Sequence, residues 1–139
     1  METHVGFYFK KISEKLEKRA NEEGRKKDIT YSQGKILWYL HRRADEKIYM
    51  KDIEKYLDCS HATVFGLLKR LEEKGRVEIL PDESDKRAKT VRVTEFEKKN
   101  FSKIKGQRML LEETLLKDFS EEEKKQVSEY LCRIYKNLE

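Results

Sequence analysis

The sequence predicts a mainly α-helical fold carrying one small β-hairpin, on three observations. Apolar residues recur at steps of three and four through most of the 139 residues, which is the spacing of one helix face. Between Val77 and Val93 the period changes to two, the alternation of a half-buried strand pair. Capping patterns of the Ser/Thr-x-x-Glu/Gln kind precede apolar runs at Thr30, Thr94 and Ser120. At this length there is room for one domain with helical extensions, not for two independent cores or a large multidomain enzyme.

Each element follows in order. Val5, Phe9, Ile12, Leu16 and Ala20 line one face of a first helix, with Thr3 as its expected N-cap and Gly24 as its expected stop. Thr30 and Gln33 form a capping box that opens a second helix with Ile36, Leu37 and Leu40 inward. A polar turn and the pair Ile48-Tyr49 lead into a short helix over Lys51 to Leu57. Asp58-Cys59-Ser60 is a tight connection, and Ser60 caps a longer helix with Val64, Leu67, Leu68 and Leu71 inward that ends at Gly75. These two helices make a helix-turn-helix. Val77 and Ile79 then face Val91 and Val93 across a charged hairpin whose tip spans Pro81 to Lys89. Thr94 to Glu97 is expected to open one long helix carrying Phe101, Ile104, Leu111 and Leu115. Ser120 opens a last helix with Val127, Tyr130, Leu131, Ile134 and Leu138 on its stripe.

Charged residues make up 42% of the chain and the apolar set 37%, against about 25% charged in an ordinary domain. Disorder is not the consequence, since the net charge is only +5 and Leu, Ile, Val and Phe supply 34 residues. So much charge suits slender amphipathic helices, whose apolar stripes need a partner to cover them. A homodimer is expected. No run of about 18 apolar residues crosses a membrane, the first residues lack the features of a signal peptide, and a cytoplasmic location is expected. Cys59 and Cys132 are too few and too far apart for a disulfide scaffold or a zinc cluster.

A helix-turn-helix followed at once by a charged hairpin is a winged helix. Lys69-Arg70-Leu71-Glu72-Glu73-Lys74-Gly75, followed by Pro81 through Thr94 with its Asp85-x-Arg87 signature, resembles the MarR (multiple antibiotic resistance regulator) family. The likeness extends from Thr30-x-x-Gln33 to both terminal helical stripes. It implies a single domain over 1–139, with a winged DNA-binding region at 30–94 and a helical dimerisation region at 1–29 and 95–139. It also implies a homodimer on a pseudo-palindromic double-stranded DNA operator. The second helix of the motif would enter the major groove, Arg87 would reach the minor groove, and Asp85 would hold the wing in shape.

The chemistry of the residues supports that implication independently. Phosphate contacts dominate DNA affinity, and residues 86–108 hold nine basic side chains, among them Lys86, Arg87 and Lys89, against Glu95 and Glu97. Lys98 to Lys105 also read as a solvated helix face. On the helical wheel Ala62, Gly66 and Lys69 lie opposite the buried side, with Thr63, Phe65 and Arg70 at the margins. Ala62 and Thr63 can touch a thymine methyl, Lys69 and Arg70 can reach phosphate or guanine, and Ser60 and His61 sit at a helix N-terminus that favours phosphate. Three positions depart from the family: Gly66 where a basic or polar residue is usual, Ile79-Leu80 where an arginine often follows the glutamate, and Glu97 where glycine is common. The first two leave few side chains for base edges, so shape and phosphate contacts are expected to carry more of the specificity.

The resemblance also implies a small, often aromatic or anionic effector in a crevice beside the dimerising helices. Tyr8, Phe9, Trp38 and His41 are the candidate lining; the alternative is that they only pack the junction. Cys59, just ahead of the recognition helix, is a candidate redox site, since a helix N-terminus lowers a thiol pKa, or else a small buried hydrophobe. His4, His41 and His61 lack ligand spacing and no nucleophile motif is present, so no metal, no cofactor and no catalysis are expected. The expected function is a homodimeric, sequence-specific repressor released by a small ligand or other signal. The alternative is a winged helix used as a protein-interaction module with little DNA affinity.

Overall fold

In the computed structural model, which describes residues 1, 3–25 and 28–139, ten elements follow one another. They are α1 (Val5–Arg25), α2 (Tyr31–Arg42), β1 (Ile48–Tyr49), α3 (Met50–Leu57), α4 (His61–Glu73), β2 (Val77–Pro81), β3 (Lys89–Val93), α5 (Glu95–Lys98), α6 (Phe101–Leu115) and α7 (Glu121–Lys136). Two compact units result, residues 1–101 and 102–139.

The core of the first unit joins α2, α3, α4 and the sheet. Ile36, Leu37 and Leu40 meet Ile53, Val64, Leu68 and Leu71, and Val77, Val91 and Val93 close it from the sheet. The expected inward face of α4 is therefore found, with Leu67 only half-buried. Both caps of this region form as expected. Thr30 Oγ1 accepts from the Gln33 amide while Gln33 Oε1 accepts from Thr30 N, and Ser60 Oγ accepts from Thr63 N. Each satisfies a backbone donor that the first turn leaves unpaired. Asp58, at φ 52°, and Gly75, at φ 72°, take the left-handed conformation that ends α3 and α4.

The sheet has three strands in the order β1-β3-β2, all antiparallel. Val77 pairs with Val93 and Ile79 with Val91, which keeps the four alternating apolar residues on one face. Ile48 and Tyr49, expected only as a lead into a helix, pair with Val91 and Thr90 as a third strand. Two residues are too few to show a period. Pro81 ends β2 opposite Lys89, which leaves a shorter tip, 82–88, than expected; as an edge strand, β2 tolerates the missing N–H.

Several local expectations are corrected. α1 begins at Val5, one residue later than a Thr3 cap would place it. Gly24 lies inside the last turn of α1 rather than after it, buried, and its carbonyl accepts from Ile29 N at 2.8 Å. The long helix after Thr94 is two helices, α5 and α6. Thr94 does cap α5, accepting from Glu97 N, but its hydroxyl also donates to Gly75 O at 2.7 Å, and the Glu97 side chain turns inward instead of completing a capping box.

In the second unit, Ser120 and Glu123 form the expected capping box of α7. The apolar stripes of the terminal helices are only partly covered: Leu16, Ile104, Leu111, Val127 and Ile134 are half-buried, and other apolar residues of these helices stand in water. Val5, Phe9 and Ile12 on α1 are exposed, and so are Met109, Leu110 and Leu115 on α6 and Tyr130, Leu131 and Tyr135 on α7.

Candidate nucleic-acid interface

α4 buries one side completely and leaves the other bare. His61, Ala62, Thr63, Phe65, Lys69 and Arg70 are exposed, while Val64, Leu68 and Leu71 on the opposite side are fully buried. At its N-terminus Ser60 Oγ donates to Thr63 Oγ1 at 2.9 Å. The His61 imidazole is steered by α3, its Nδ1 lying 2.5 Å from Glu54 Oε1, and it stacks loosely on Phe65. A Cβ at Gly66 would meet nothing within 4 Å, so no packing inside the protomer demands glycine there.

The basic side chains of this face are not equally available. Lys69 donates to Glu72 Oε1 at 2.9 Å, which raises the lysine pKa and lowers that of the glutamate, whose other oxygen accepts from Ile79 N. Arg92 donates to Glu78 across the hairpin at 2.6 Å, and Lys98 to Glu95 at 2.8 Å. Part of the basic run after Lys86 is therefore neutralised within the fold.

The wing tip keeps its cation open. The Arg87 side chain is 97% exposed, with Nε 3.7 Å from Asp85 Oδ1. Asp85 Oδ1 also accepts from the Arg87 amide at 3.1 Å, a local turn closed by a side chain. Lys86 and Lys89 flank it in solvent. Under the tip lies a carboxylate that the sequence did not single out. Asp82 is buried, accepts from Ser84 Oγ at 2.8 Å and from Asp85 N at 3.1 Å, and forms an ion pair with Lys47 from the turn before β1. Lys47 first, then Ser84, holds the Asp82 pKa at about 2. The Asp-x-Ser spacing is a turn signal that could have flagged Asp82; nothing local points to Lys47, 35 positions away.

Of the four candidate crevice residues, Trp38 and His41 come together beside Phe101. His41 is buried, with Nε2 2.9 Å from Glu97 Oε2 and its ring stacked on Phe101 at 4.8 Å. Tyr8 and Phe9 are exposed on α1. Trp38 also lines a cavity of about 450 Å³ with Arg42, Arg43 and Tyr56. Arg42 lies over the Trp38 ring and Arg43 over Tyr39. Cys59 is exposed rather than buried, its thiol donating to Leu57 O at 3.4 Å.

No helix among the described residues is long and apolar enough to cross a membrane. The MarR family model matches residues 27–88. The uncharacterized HTH-type transcriptional regulator YwoH of Bacillus subtilis (strain 168) is 35% identical over 120 residues, 86% of this chain and 85% of its own length. YybA of the same organism, similarly described, is 28% identical over 113 residues, 81% of this chain and 75% of its own length. Among solved structures, the S. aureus MepR–DNA complex superposes with a TM-score of 0.90 at 29% identity, covering 99% of this chain and 100% of that one. The transcriptional regulator SlyA superposes with a TM-score of 0.89 at 26% identity, covering 98% and 94%.

Proposed function

The chain belongs to the MarR family of DNA-binding winged-helix transcriptional regulators, and from that membership we propose that it is a homodimeric repressor of a pseudo-palindromic operator, released by a signal. The observation that carries the proposal is the bare side of α4, Ser60 to Arg70, on the same unit as the open Arg87 of the wing. A helix buried on one side and lean on the other fits the major groove, where Ala62 and Thr63 can meet a thymine methyl and Arg70 a phosphate or guanine. Arg87 suits the minor groove. The structural likeness to MepR, solved on DNA, supports the same docking. The apolar residues left exposed on α1, α6 and α7, among them Val5, Ile12, Leu115 and Leu131, support a second copy of the chain as their cover.

For the signal, the Trp38 cavity supports an anionic aromatic molecule, since two guanidinium groups, Arg42 and Arg43, and two aromatic rings, Trp38 and Tyr56, line it. His41 has no part in it. An exposed Cys59 supports a thiol signal instead. Operator affinity before and after mild peroxide, in wild type and in Cys59→Ser, separates the two; an unchanged affinity excludes the thiol.

The primary test is duplex binding over a salt series, using fragments that the protein selects from its own genome. The logarithm of affinity should fall with log salt at about 0.9 per phosphate neutralised. Binding that ignores salt, or no duplex binding at all, would favour the protein-interaction reading.

A further inference from the structure

We infer that Asp82 is a positioning residue for DNA contact: it sets Arg87 through Ser84 and Asp85, and Lys47 anchors it from outside the wing. The inference rests on the reading of Arg87 as a DNA contact and deepens it. Only seven residues, 82–88, join β2 to β3, and most are charged and exposed. Such a tip would ordinarily sample many conformations. Here a carboxylate with a side chain 2% exposed sits at its base and gathers it.

The contacts form one chain. Lys47 Nζ faces Asp82 Oδ1. Asp82 Oδ2 accepts from the Ser84 hydroxyl and from the Asp85 amide. The tip is closed below by Asp82 N donating to Ala88 O and by Ala88 N donating to Asp85 O, each at 3.0 Å. Asp85, thus held by its backbone, turns Oδ1 to the Arg87 amide and guanidinium. Asp85 is itself half in solvent, so its direction depends on the carboxylate beneath it. A buried carboxylate needs its charge matched, and Lys47 matches it. The wing therefore depends on a residue from the turn between α2 and β1. An arginine aimed before binding loses less freedom when it binds, which raises affinity without a new contact.

A double-mutant cycle separates positioning from mere support of the fold. Arg87→Ala is expected to weaken operator binding about tenfold or more and to lower the salt slope by about one per subunit. Asp82→Ala should do nearly the same alone and add little in the Arg87→Ala background. A structural role unrelated to Arg87 would cost the same in both backgrounds, and that result would overturn the inference. Lys47→Met, which leaves the wing sequence intact, should reproduce the effect, and serves if Asp82→Ala does not fold. Without DNA, the Arg87 amide should exchange faster in Asp82→Ala than in wild type; unchanged protection would also overturn it. If wild type binds no duplex, the amide arm still decides whether Asp82 sets Arg87, and what falls is the DNA reading.

Discussion

His41 Nε2 lies 2.9 Å from Glu97 Oε2, both side chains shut off from water, and the other oxygen of that carboxylate accepts from Arg76 Nη1 at 2.9 Å. Glu97 thus joins the end of α2 to the segment that follows α4, and Arg76 also covers the Phe96 ring. A buried carboxylate with two nitrogen partners need not add net stability over an apolar replacement of both sides, but removing one side alone leaves the rest unmatched.

Glu97→Ala is therefore expected to destabilise the fold by about 3 kcal/mol. Glu97→Gln keeps an acceptor and a donor but no charge, and should fall between it and wild type. Urea unfolding measures both; a loss below about 0.5 kcal/mol for the alanine variant would mean that the cluster carries no weight.

Two glycines should respond in opposite directions. A Cβ at Gly24 would stand 1.7 Å from the Ile29 carbonyl oxygen, which is backbone and cannot step aside. Gly24→Ala should destabilise by about 2 kcal/mol or more. At Gly66 the same atom meets open space, so Gly66→Ala should stabilise by about 1 kcal/mol in thermal unfolding. If operator affinity falls in that variant while stability rises, the bare α4 backbone approaches the groove closely.

Acid should act on the wing through Asp82. Its ordinary pKa of 3.8 is lowered to about 2 in the fold, by Lys47 first. Because the folded value is the lower one, the stabilisation is complete above about pH 4 and is lost as pH falls through about 2. The side-chain carboxyl carbon of Asp82 should titrate near 2 in a carbon NMR series, and a midpoint near 3.8 would contradict the ion pair.

Leu131 is exposed on α7 among Tyr130 and Tyr135. If a second copy covers this stripe, wild type sediments as a dimer. Leu131→Asp should then weaken dimerisation about a hundredfold or more, since each copy loses a buried leucine and gains a charge. Operator affinity should fall with it. Wild-type protein that stays monomeric at micromolar concentration would sink the dimer.

Much of the fold was legible because its signals are local. Thr30-x-x-Gln33, Ser60 before α4, and Ser120-x-x-Glu123 announce helix starts by chemistry between residues three apart. Val77, Ile79, Val91 and Val93 announce the hairpin by alternation, and the bare side of α4 followed from its wheel. Asp85 and Arg87 were visible as a wing motif and do interact.

Other features were not legible, for a common physical reason. Thr94-x-x-Glu97 has the capping-box spelling, yet Glu97 turns to His41, 56 residues earlier, and to Arg76, while the Thr94 amide it would have accepted from donates to Arg76 O at 3.1 Å. From its place on α2, His41 suits either the lining of a crevice or the packing of the junction; that it is closed in by Phe101 depends on chain 60 residues away. Ile48-Tyr49 became a strand only because β3 offered it an edge.

The sequence by itself determined the helix faces, most of the caps, the inward side chains of the hairpin and the recognisable wing, since each depends on side chains within a few residues of one another. Only the tertiary structure decided which charges stay free. Arg92 meets Glu78 across the hairpin, Glu97 is buried between His41 and Arg76, and Lys47 reaches Asp82 under the wing, while Arg87 is left open to solvent. Charge pairing acts through space at a few ångströms, and for the pairs that matter most here, Lys47 with Asp82 and His41 with Glu97, the distance along the chain gives no hint of it.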